Sequence, residues 1–274
     1  MKRTALVWLF AGVMSTGLCA GDFSKEVDRL GDTATTSDAV EKLAKGGAEA
    51  YDDLLAGLKR KASVDAVQAA KDSRTRLYCA RLLGALGDSR AAADLLALVK
   101  ENAVENAQYP VFAGACAAAL GAVWAGKEAS ADRTAAADEL KRLVVADKLD
   151  LNIRWGVLQG LASLREGAEL ALPVVKAEGE PLLRTAAIGV VVACGHKAAG
   201  DDLLALWAAQ RGGEAANYAK PLGITALFGL AALGDSRALD GLVDVATMAE
   251  FQTYASLRSQ SVSLLKGAAF RTEA

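Results

Sequence analysis

Apolar positions in this chain recur at a short spacing nested inside a long one. Sliding along from Leu83, similar contexts return at Leu120, Leu161, Val191, Leu230 and Leu265, in steps of 37, 41, 30, 39 and 35 residues. Three positions before these anchors stand Ala80, Ala117, Leu158, Ile188, Leu227 and Val262; three after stand Leu86, Val123, Leu164, Cys194, Leu233 and Ala268. Every one of them is apolar. Residues three apart lie on one face of a helix, so each copy predicts an anchor helix with a stripe made for burial.

A second helix is predicted after several copies, beyond a turn that contains glycine. "GDSRAAADLLALV" from Gly87 matches "GHKAAGDDLLALW" from Gly195 in length, and "GGAEAYDDLLAGL" from Gly46 reads as the same unit. Glycine suits a left-handed helix terminus, where a Cβ is costly. The copies at Trp124 and Arg165 lack it, and "AGKEASADRTAAA" lengthens the turn after Trp124 by about seven residues.

An acid stands four positions before an arginine at the start of three anchor helices: Asp72 before Arg76, Asp150 before Arg154 and Glu180 before Arg184. The acid should serve the free N–H groups and positive end of the helix, and Pro181 suits a first helical position. The arginine is expected to pair with that acid or with its equivalent on a neighbouring copy.

One helix pair cannot bury its stripe alone, so neighbouring pairs must stack into a shared core. The expected fold is all-α, an α-solenoid of about six helix pairs over residues 35–274, preceded by a lead-in or cap at 21–34. Lys42 and Lys45 of "TSDAVEKLAKGG" fall in or beside registers that are apolar elsewhere, as a solvent-facing first unit requires. "LLGALGDSRA" (82–91) and "GLAALGDSRA" (229–238), with decayed copies between them, resemble HEAT-like repeats of the phycobilin-lyase type. That resemblance covers roughly residues 35–270. It implies a fold far more than an activity.

The first residues stand apart. Met1, Lys2 and Arg3 precede an apolar stretch from Ala5 to Met14 and mostly small residues from Ser15 to Ala20, the pattern of a secretory signal at 1–20. Secretion or a periplasmic location is therefore expected. "TGLC" matches a lipidation signal at Cys19 poorly, because Thr16 and Leu18 are the wrong kinds of residue there. Asn106 to Gly126 carries no charge, but its polar start, Pro110 and many Ala and Gly predict a buried helix, not a membrane span.

Composition fits this picture: 53% hydrophobic, 23% charged and only four Pro in 274 residues, values of a folded, helix-rich chain. Without Lys2 and Arg3 there are 29 basic against 33 acidic residues, a charge of −4. No long basic run is present to displace the counterions of a nucleic acid, so no nucleic-acid partner is expected.

Candidate chemistry is thin. The one histidine, His196, lies beside the turn Gly195, and Cys194 occupies the apolar column shared with Leu86 and Leu233, so both read as structural. No CxxC spacing supports a metal site, and "GGEAANYAK" has glycines but no strand before it. Acid pairs Asp52–Asp53 and Asp201–Asp202 open second helices, where caps belong. No cofactor, metal or catalytic residue is expected.

Cys79 and Cys116 fall in one register with Val157, Ala187, Ala226 and Ser261, a column of small residues that predicts close helix packing. Stacked helices are ~8–10 Å apart, beyond the roughly 7 Å Cα reach of a disulfide. Both cysteines should be thiols.

Any partner should meet the exposed side of the anchor helices. One register there holds Arg81, Ala118, Gln159, Gly189, Phe228 and Ser263, and an adjacent one holds Tyr78, Ala115, Gly156, Ala186, Thr225 and Gln260. Tyr78, Arg81, Gln159, Thr225 and Phe228 are the partner-binding candidates, the two aromatics as anchors. The function expected is a non-catalytic protein–protein interaction or scaffold module holding a protein or peptide on a concave face. An enzyme or chaperone-like protein of the kind the lyase resemblance implies is the alternative; a secretion signal speaks against it.

Overall fold

Capping and turn residues set the elements of this chain one by one. In the structure, a computed structural model that describes residues 22–146, 148–211, 221–247 and 255–266, every regular element is helical. The expected signal at 1–20, with Cys19, lies outside the described residues, as does Ala268. No described helix is long and apolar enough to cross a membrane.

The chain divides into two compact units, residues 1–82 and 83–274. The first contains α1 (Ser24–Arg29), α2 (Thr36–Gly46), α3 (Tyr51–Leu58) and most of α4 (Ala66–Leu86). The lead-in is thus a short helix, with Val27 and Leu30 buried. Lys42 is exposed beside Glu26 and Asp38 at 3.4 and 3.3 Å, and Lys45 pairs with Glu41 at 2.6 Å, a charged stripe where later anchor helices are apolar. Gly57 lets α3 close on α4, because a Cβ there would meet Cys79 Sγ at 2.6 Å.

The second unit alternates anchor and second helices. α5 (Ala92–Asn102), α7 (Ala131–Val144), α9 (Ala168–Lys176), α11 (Gly200–Arg211) and α13 (Leu239–Thr247) are second helices. α6 (Pro110–Val123), α8 (Leu151–Leu164), α10 (Pro181–Ala193), α12 (Pro221–Ala232) and α14 (Ala255–Lys266) are anchor helices. The anchor helices neighbour one another in chain order, α6 on α8, α8 on α10 and α10 on α12. The uncharged stretch expected as a buried helix is α6, in which Phe112 to Ala117 are all buried.

The predicted columns form the core except in the last copy, where Leu265 is half-buried and Val262 exposed. Leu83, Leu120, Leu161, Val191 and Leu230 are wholly buried, as are Ala80, Ala117 and Leu227, with Leu158 and Ile188 nearly so. Of the third column, Val123, Leu164 and Leu233 are buried and Leu86 and Cys194 half-buried. The small column is tighter still: Cys79, Cys116, Val157, Ala187, Ala226 and Ser261 are all 0% exposed. Small side chains there let backbones approach. On α6 and α8 the approach is extreme, since a Cβ on Gly114 would fall on the Asn152 carbonyl and one on Gly121 on the Gly160 carbonyl.

Gly87, Gly195 and Gly234 take φ of +65°, +65° and +78°, the left-handed terminus expected of them. Beyond this turn the carbonyl of the anchor residue accepts the N–H five positions on: Glu166 to Leu161 at 3.1 Å, His196 to Val191 at 2.9 Å and Asp235 to Leu230 at 3.1 Å. Arg165 adopts the same conformation at φ +59° without being glycine, whereas the copy at Trp124 displaces the turn to Gly126 at +70°. Part of the inserted segment is helical, because Ser130 caps α7 by accepting the Arg133 N–H.

The two "GDSRA" copies build one structure twice. Asp88 and Asp235 each cap a short 3-10 turn by accepting a backbone N–H, from Arg90 and Arg237 respectively. The guanidinium of the same arginine then returns to the carboxylate at 2.6 Å.

Two expectations at the anchor-helix starts need correcting. Asp72 does not open its helix: α4 begins at Ala66, and Asp65 accepts the Gln68 N–H at 2.8 Å. Asp72 is instead a buried carboxylate that accepts the Ser63 N–H and the Gln68 amide at 3.0 and 2.9 Å, so it ties down the preceding loop. Asp150 caps α8 as expected, whereas Glu180 stands at the start of α10 without a side-chain cap bond. The recurrent bond of the arginine also goes elsewhere than to the acid before it. Arg76 Nε donates to the Leu58 carbonyl, Arg184 Nε to Val175 and Arg258 Nε to Ala246, at 3.3, 3.0 and 3.0 Å. Each arginine stands seven residues before its anchor and serves the carboxyl end of the preceding helix, where orphan carbonyls and the dipole favour a cation.

Candidate functional site

Four of the anchor helices are almost free of charge. α6, α8, α10 and α12 carry two charged residues between them, Arg154 and Arg184, both in first turns; α7 alone carries six. Helix faces turned to water ordinarily carry charge, so the open side of these four helices is the candidate site.

Gln159, half-buried on α8, has the Ser163 hydroxyl donating to its carbonyl at 3.1 Å. Thr225 and Phe228 are half-buried, three residues apart on α12. Between them lies α10, where Gly189 is exposed and a Cβ would meet nothing within 4 Å. These positions share one side of the second unit. In the first unit, Tyr78 is half-buried and Arg81 exposed, with the guanidinium carbon 5.7 Å from the ring centroid, within cation–π range.

The face is narrower than the spacing implied. Ala115, Gly156 and Ala186, in the register expected beside it, are buried, the first two where α6 and α8 approach so closely. The open side turns the other way, through Ala122, Ser163, Ala193 and Ala232, and through Trp155 and Thr185. Sequence spacing alone missed this, because it does not tell which neighbour comes closest. The signal available was the pair of glycines, Gly156 and Gly160, on one helix.

Charged groups near the second helices are held by each other. Glu166, in the turn after α8, lies 2.8 Å from Arg133 and 2.7 Å from Lys141 of α7, and Arg133 also donates to the Leu164 carbonyl at 3.0 Å. Partial burial works to raise the Glu166 pKa, but Lys141 and Arg133 together hold it below the ordinary value. A cavity of about 380 Å³ opens among Ala103, Val104, Glu105, Leu143, Ala146 and Leu149, with Arg142 and Lys148 at its rim. Its lining holds no nucleophile, and its cations face Glu139 at 2.6 Å and Glu105 at 3.7 Å.

Cys79, Cys116 and Cys194 are all thiols. Burial pushes the Cys79 pKa up to about 12; burial also raises Cys194 at the end of α10. Both shifts disfavour the thiolate that nucleophilic chemistry needs. His196 is half-buried and occupies the position of Asp88 and Asp235, ahead of a 3-10 turn it does not cap. Among the described residues, no three His, Cys, Asp or Glu side chains cluster as metal ligands do. No protein-family model matches this chain, and no curated protein matches it either.

Proposed function

We propose that this chain is a non-catalytic interaction module, an α-solenoid of HEAT-like helix pairs exported to the bacterial envelope or beyond the cell. It holds a protein or peptide on the neutral side of its anchor helices. One observation carries this reading: the half-exposed side of α8, α10 and α12 presents Gln159, Gly189, Thr225 and Phe228 but no ion. Covering charged groups costs several kcal/mol apiece unless each is re-paired, whereas covering small and neutral groups costs little. Interface centres are depleted in charge for this reason.

Phe228 supplies an aromatic anchor on this face, and Gln159 and Thr225 supply hydrogen bonds; Tyr78 and Arg81 offer the first unit's own aromatic and cationic contact. Co-purification from the native host tests the reading. Gly189→Glu places a charge in open space on this face without disturbing packing and should abolish capture of whatever the wild-type chain retains. Phe228→Ala and Tyr78→Ala should weaken it. If all three variants stay folded and capture is unchanged, the face is wrong.

A further inference from the structure

The last described helix pair exposes apolar positions that earlier pairs bury or half-bury. Val262 stands in the register of Ala117, Leu158, Ile188 and Leu227, none more than 3% exposed, yet Val262 is 37% exposed. Val243 aligns with Leu96 and Leu204, which are half-buried, yet is 46% exposed. α13 and α14 pack together, so their hairpin presents two short strips. Along α13 run Asp240, Val243 and Thr247; along α14 run Ser259, Val262 and Lys266, at the same spacings of three and four. All six are exposed.

One strip is acid then valine; the other is valine then base. A two-fold relation that lays α13 of one copy on α14 of another, running oppositely, sets valine on valine and Asp240 beside Lys266, twice over. Such self-complementarity is what a closed dimer interface requires. We infer that the α13–α14 hairpin is a homodimerisation surface whose occupant is the same hairpin of a second copy. It completes the core that each earlier pair obtains from its neighbour, and it does not depend on the neutral face proposed above.

Sedimentation equilibrium of the full secreted chain tests this. The wild type should be dimeric at tens of micromolar. Val262→Glu should raise the dimer Kd by about tenfold or more, while Leu182→Glu, at an exposed apolar position on α10, should leave it unchanged. Lys266→Asp and Asp240→Lys should each weaken the dimer, and the double variant should restore it, a rescue that mere misfolding cannot imitate. A wild type that is monomeric at hundreds of micromolar overturns the inference. So does an assembly larger than two, or a double variant no better than the singles.

Discussion

Gly156 of α8 rests on the backbone carbonyl of Gly114 in α6, close enough that a methyl on Gly156 would overlap that oxygen. Neither backbone can yield without moving its helix. Gly156→Ala should therefore cost about 3 kcal/mol, at the upper end for overpacking, despite the higher helix propensity of alanine. Gly189→Ala, in a helix of the same kind but with open space around it, should stabilise by about 0.5–1 kcal/mol. Urea denaturation of the two variants measures both signs.

That contrast marks how far the sequence was legible. The anchor columns, the small column and the turn glycines follow from periodicity and backbone sterics, and Leu83, Cys79 and Gly87 stand where those arguments put them. The width of the open face does not follow, because Ala115 and Ala186 look like surface until the inter-helix distance is known. The arginine bonds were hidden for another reason. A guanidinium satisfies a carbonyl as readily as a carboxylate, and Leu58, Val175 and Ala246 carry no side-chain signal of that role.

His196 occupies the capping position that aspartate holds in the two "GDSRA" copies, without making the cap. His196→Asp should supply the missing acceptor and raise stability by about 1 kcal/mol. Thermal denaturation reads the gain, and Asp235→Ala should lose a similar amount.

Arg184 links the start of α10 to the end of α9 through the Val175 carbonyl. Arg184→Leu keeps the bulk but leaves that half-buried carbonyl without its charged donor, a loss of about 1.5–2 kcal/mol. Arg184→Lys should recover only part of it, since an ammonium lacks the planar fork. Equilibrium unfolding of the pair distinguishes charge from geometry.

Acid should loosen the turns first. Hydrogen bonds from Arg90 and Arg237 are the main reason Asp88 and Asp235 titrate below the ordinary carboxylate value. A carboxylate depressed in the folded state contributes its full stability above its unfolded pKa and loses it as pH falls through the folded one. Stability should thus decline on going below about pH 4, and the combined Asp88→Asn and Asp235→Asn variant should decline less. Urea midpoints collected between neutral and acid pH show the difference in slope.

Hydrogen–deuterium exchange of the chain, alone and saturated with the partner it retains, puts the neutral face to its most direct test. Slowed exchange should appear in α8, α10 and α12 around Gln159, Gly189 and Phe228, with α7, α9 and α11 unchanged. Protection confined to those charged second helices, or to none of the anchor helices, would contradict the account.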